Sequence, residues 1–207
     1  MKTIPIRAES SDQLVMVGCS ILHKEVDSLI KKNKWHLQTH YLDSALHSYV
    51  NKLSKALNEA LDEEEAKGKN TVVFYGSCHP GMDSFIETHQ SCRTRGQNCI
   101  VMLLGYEYFM RELSQGAFFL LEDWALSWEK ELIKSFGNNT GVIRDIFHSS
   151  HKYILAIRTP YSSDYTATAE KAAAFVDLPL RWIDVNLQEL ERVMTEAIKN
   201  KLDKLHD

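Results

Sequence analysis

Long apolar runs are missing from this chain. The longest, 100–104 and 117–121, fall far short of the ~20 residues that span a bilayer, so no membrane-spanning helix is expected. An excess of basic charge is missing as well. Lys plus Arg is 24 against 28 Asp plus Glu, a formal charge of −4, which gives no electrostatic grip on nucleic acid. Cysteine is scarce, with four in 207 residues, too few for a disulfide scaffold. Proline and glycine number only 4 and 9, and no Pro/Gly/Ser-rich linker interrupts the chain. The first twelve residues carry Pro5, Arg7, Glu9 and Asp12 where an export signal needs an apolar core. The expected setting is therefore cytoplasmic, with thiols kept reduced. What is present is ordinary for a folded protein: 44% hydrophobic and 25% charged residues, too apolar for disorder. The length predicts a single domain over residues 1–207.

Five short apolar runs read as strands: 14–17, 72–75, 117–121, 153–157 and 181–185. Most are continuous rather than alternating, the pattern of strands buried on both faces. Helical periodicity lies between them. Leu42, Ala45, Leu46, Tyr49, Leu53, Ala56, Leu57, Ala60 and Leu61 recur at spacings of three and four, with Gly68 placed to end the helix. Trp124, Trp128, Leu132 and Ile133 form a second stripe, and Leu187, Leu190, Val193, Met194, Ala197, Ile198 and Leu202 a third. Strands alternating with helices imply parallel pairing through right-handed crossovers. The expected fold is α/β: a single doubly wound, mainly parallel sheet of four or five strands with helices on both faces.

In such a sheet, ligands bind beyond the carboxyl ends of the strands. Gly18-Cys19-Ser20 follows the first run and Gly76-Ser77-Cys78-His79-Pro80-Gly81 the second. Cys99 follows Gly96-Gln97-Asn98, and Asn98 suits the N-cap of a helix. A thiol in a first helical turn is expected to have its pKa lowered. Cys92 sits in the polar stretch 88–96 and is expected in a loop away from the other three. Three thiols at one sheet edge suit zinc or an iron–sulfur cluster, either with one coordination position open. His79, His23 and the pair Glu122 and Asp123 are candidates for that position, His79 first. The common alternative is that Cys19 and Cys78 are small buried apolar side chains, and spacing alone favours it. His36, His40 and His47 are expected to be exposed, and Asp123 to cap the helix of Trp124. The loop 76–81 lacks the Lys-Ser/Thr pair of a phosphate loop, and no Gly-x-Ser-x-Gly elbow occurs.

Four blocks occur in order: Gly18-Cys19 with Glu25; Tyr75-Gly76-Ser77-Cys78-His79-Pro80-Gly81-Met82-Asp83; Asn98-Cys99-Ile100 to Leu103-Leu104-Gly105; and Gly116-Ala117-Phe118-Phe119-Leu120 with Trp124. Together they resemble domain-of-unknown-function family 1638, over about residues 15–182. That resemblance implies a protein of methanogens and anaerobes, encoded near corrinoid-dependent methyl-transfer systems. It also implies that Cys19, Cys78 and Cys99 recur together while Cys92 does not. Leu121-Glu122-Asp123 departs from the family pattern. The functional expectation is a metal-binding protein with ligands Cys19, Cys78, Cys99 and His79. It would hold an iron–sulfur cluster or zinc and serve a corrinoid protein or methyltransferase, with a small-molecule ligand and neither nucleic acid nor membrane as partner. The alternatives are a metal-free thiol enzyme, with Cys99 or Cys78 as nucleophile and His79 as base, or a non-catalytic accessory protein.

Overall fold

The computed structural model describes residues 13–206. The expected lack of an export signal concerns residues 1–12, which lie outside them. The chain divides into two compact units, one formed by Met1–Leu103 with Gln188–Asp207 and the other by Leu104–Leu187.

The first unit holds four parallel strands: β1 (Leu14–Cys19), β2 (Leu37–Leu42), β3 (Asn70–Phe74) and β4 (Cys92–Arg93), in spatial order β2-β1-β3-β4. Every residue of β1 is buried, as expected for a central strand whose side chains meet cover on both faces. The crossovers are α1 (His23–Asn33) from β1 to β2, α2 (Val50–Ala66) from β2 to β3, and α3 (Met82–Thr88) from β3 to β4. In α2, Leu53, Leu57, Ala60, Leu61 and Glu64 are buried, one stripe at helical spacing packed on β1, β2 and β3. Gly68 ends that helix at φ +74. A short helix, α4 (Cys99–Leu104), follows β4, and the last helix, α9 (Gln188–His206), packs on β3 and β4. The chain leaves β1 toward β2 and leaves β3 toward β4, in opposite directions across the sheet. The switch point between β1 and β3 is where open α/β sheets leave a crevice.

The second unit is a three-stranded parallel sheet, order β5-β6-β7: β5 (Ala117–Leu120), β6 (Tyr153–Arg158) and β7 (Leu180–Asp184). Its helices are α5 (Tyr106–Ser114), α6 (Glu122–Phe136), α7 (Thr140–Ser150) and α8 (Thr166–Val176). On one face Leu120, Ile154 and Ala156 meet Trp128, Ile143, Phe147, Ala169 and Val176 from α6, α7 and α8. On the other, Ala117, Tyr153 and Leu155 meet Tyr108 of α5.

The α/β class and the parallel pairing are those the sequence predicts. The expected single sheet is instead divided, with four strands in one unit and three in the other. The stripe predicted from Leu42 starts as a helix only at Val50. Leu42 ends β2, and 44–48 form a 3-10 turn. Asp123 is not the cap of α6 but lies in its first turn, after Leu121, where its charge favours the helix dipole. His40 is not simply exposed: its Nδ1 lies 3.0 Å from Oε1 of buried Glu64.

Candidate metal centre at the carboxyl edge of the first sheet

Gly18 and Phe74 stand in register on β1 and β3. A Cβ on Gly18 would fall 2.5 Å from Cβ of Phe74, so this close strand approach needs glycine. One residue further on, Cys19 and Tyr75 leave the two strands together. After Tyr75 the chain turns through Gly76, Ser77 and Cys78. The N–H of Ser77 donates to the Gln97 carbonyl at 2.8 Å. That contact lays the Cys78 loop on the segment leading to Cys99. Oδ1 of Asn98 accepts from the N–H of Val101 at 2.9 Å, the cap expected there, so Cys99 opens α4.

Cys19 thus ends β1, Cys78 lies in the loop beyond β3 and Cys99 opens α4, with the last two segments joined by the Ser77–Gln97 contact. None forms a disulfide. The Cys99 thiol lies within electrostatic reach of those of Cys19 and Cys78. The three sulfurs are not drawn within 4.8 Å of one another. A tetrahedral zinc site with Zn–S of ~2.3 Å needs its sulfurs roughly 3.8 Å apart.

Burial pushes the Cys99 thiol up, and charge on Cys19 or Cys78 would push it further. The lowered pKa expected at a helix start is therefore not what this thiol has. Backbone N–H groups of Ile100 and Cys99 do favour thiolate, but a helix of six residues supplies less stabilisation than the loss of water removes. Burial also raises the Cys78 thiol, opposed by the Gly76 backbone and by the Arg93 guanidinium. Arg93 is itself held by Asp83 at 2.9 Å. Tyr75 is 3% exposed, and its hydroxyl has no hydrogen-bond partner. Burial raises its pKa, as do nearby Cys19, Cys78 and Asp43. Sequence reading passed Tyr75 over, because nothing in the residue pattern marks a buried phenol as unpartnered.

His79 and His23 are preset differently. The N–H of Gly81 donates to Nδ1 of His79 at 2.8 Å, so neutral His79 carries its proton on Nε2. Nδ1 of His23 donates to the Ser20 carbonyl at 2.8 Å, which leaves the lone pair on Nε2, the tautomer a metal ligand needs. Glu122 and Asp123 belong to the second unit, where Glu122 Oε2 accepts from the N–H of Ser163 at 3.1 Å. Cys92 lies not in a loop but in the edge strand β4, paired with Val72 and 6% exposed. That pairing sets it back from the carboxyl edge.

Among the described residues, Asp62, Glu65 and His89 are the three whose ligand atoms gather within 4.8 Å. His89 Nδ1 meets Glu65 Oε2 at 3.1 Å and Nε2 meets Asn58 Oδ1 at 3.2 Å. These contacts tie the end of α3 to α2. No helix among the described residues is long and apolar enough to cross a membrane.

Two units, each an α/β arrangement around a parallel sheet, define the structural class. The chain matches, over residues 41–194, the model of a family described as protein of unknown function, DUF1638, and it belongs to that family. The match includes Cys78 and Cys99 and begins beyond Cys19. No curated protein and no solved structure matches it.

Proposed function

We propose that the first unit is a metal-binding module in which Cys19, Cys78 and Cys99 hold an iron–sulfur cluster through three thiolates. One iron is then left open to an outside ligand. The observation that supports this reading is that the thiol of half-buried Cys99 lies within electrostatic reach of those of buried Cys19 and half-buried Cys78, three residues from three chain segments beside the β1/β3 edge. A cluster suits thiols that do not close to within 4.8 Å of one another, because iron and sulfide lie between thiolates that one zinc ion would draw together. Recruiting His79 as a fourth ligand through Nε2 would cost its bond from Gly81, so His79 is not the fourth ligand in this reading. The proposed setting is the anaerobic cytoplasm, where thiols stay reduced, with a corrinoid protein or methyltransferase as partner.

Anaerobic purification, followed by iron, sulfide and zinc analysis, tests the reading. Iron and sulfide in near-equal amounts, a brown colour and their loss in Cys78→Ser are expected. Stoichiometric zinc without sulfide, or no metal after reconstitution with iron and sulfide, would overturn it.

A further inference from the structure

Tyr75 follows β3 directly, 3% exposed, and its hydroxyl is buried without a hydrogen-bond partner. Buried hydroxyls are almost always paired, and an unpaired one is expensive to keep out of water. Phenylalanine would fill the same space without that penalty. The hydroxyl stands in the surroundings of Cys19 and Cys78, yet neither sulfur is placed to accept from it. No described group accepts from it, so in the reading above its acceptor is a group bound beside these thiols. A single zinc ion held by three sulfurs brings only the water or hydroxide of its fourth position. An iron–sulfur cluster brings inorganic sulfide, which accepts hydrogen bonds and whose electron density such bonds lower.

We propose that Tyr75 is a positioning residue for the bound cluster, its hydroxyl donating a hydrogen bond to a cluster sulfide and holding the reduction potential up. This inference rests on the cluster reading above. Reduced clusters carry more negative charge, so a donor stabilises the reduced form more than the oxidised one. Removing it shifts the midpoint potential to more negative values. The hydroxyl is thus a liability in the empty protein and an asset in the loaded one.

The test is Tyr75→Phe on the full chain, purified anaerobically and reconstituted with iron and sulfide. Three readouts are taken: iron and sulfide content, midpoint potential by titration, and the thermal midpoint of the metal-free form. Unchanged iron and sulfide, a more negative potential and a higher metal-free thermal midpoint are expected. Iron and sulfide at wild-type level with an unmoved potential would overturn the role of Tyr75 alone. A wild-type protein that takes up no cluster would overturn the cluster reading and this inference with it. Tyr75→Leu, which removes the ring as well, separates packing from donation. It should lower the metal-free thermal midpoint, where Tyr75→Phe raises it, and a fall with both variants would show the hydroxyl to be satisfied already.

Discussion

The contact between the Cys78 loop and the segment before Cys99 rests on Gly76. A Cβ there would lie 2.4 Å from the Gln97 oxygen, 2.6 Å from its carbonyl carbon and 2.7 Å from Cα of Asn98. These are backbone atoms, so no side chain can swing aside. Restoring ordinary contact requires the two segments to part by roughly 1 Å. Overpacking of this kind costs about 1–3 kcal/mol. The parting also strains the bond from Ser77 N–H to Gln97, worth about 1 kcal/mol. Gly76→Ala should therefore destabilise the metal-free protein by roughly 2–4 kcal/mol, measured by urea denaturation. It should also cut cluster loading severalfold, because Cys78 and Cys99 are moved apart. Gly68→Ala is the control. Gly68 has φ +74 with nothing within 4 Å of its Cβ position, so alanine there costs about 1 kcal/mol of backbone strain and leaves loading intact. A Gly76→Ala protein within 0.5 kcal/mol of wild type on the ~1 kcal/mol scale of such contacts, with full iron content, would refute this account of the loop.

Three further outcomes are expected. Cys92→Ser should retain wild-type iron and sulfide while losing about 1–2 kcal/mol of stability, since a hydroxyl replaces a buried thiol in β4; loss of iron as complete as in Cys78→Ser would reassign the ligands. His79→Ala should keep its iron by metal analysis, because Nδ1 serves the Gly81 turn. Glu64 accepts from Lys69, Lys67 and His40, and its carboxyl is held down at about 2. Its stabilisation is full above the ordinary carboxyl pKa and is lost as pH falls through that lowered value. Glu64→Gln should therefore be less stable by roughly 2 kcal/mol at neutral pH, and the gap should close in acid denaturation curves on the way down to pH 2.

Strands buried on both faces were readable because burial writes a continuous apolar run. β1, β3 and β6 follow this rule, and so the placing of Cys19 and Cys78 beyond neighbouring parallel strands was readable too. β2 was not, because Leu37 is its one buried residue and an edge strand with Gln38, Thr39 and His40 resembles a loop. β4, with two residues, is too short to leave a pattern, which is why Cys92 reads as loop. For Cys99, the local rule of helix dipole and cap was legible, but the burial that outweighs it depends on the loop from Gly76 to Cys78, some twenty positions away. The division into two sheets left no mark either, since no linker composition separates Leu103 from Leu104.

The first unit closes with α9, which comes from the far end of the chain. Lys201, 5% exposed, donates to the Gln90 carbonyl at 3.0 Å, and Lys204 to that of Ser91 at 3.3 Å. Both carbonyls immediately precede β4. The 84 residues from 104 through 187 of the second unit are made before this clasp exists. During synthesis, β3 and β4 therefore wait uncovered on the α9 side while an entire second sheet is produced. The thiols at their edge spend that interval in an unfinished scaffold. Contacts spanning more than a hundred positions form slowly, so the last helix sets when the thiol edge becomes rigid. If the thiols hold metal as proposed, metal delivered before α9 docks would meet loose side chains rather than a finished edge.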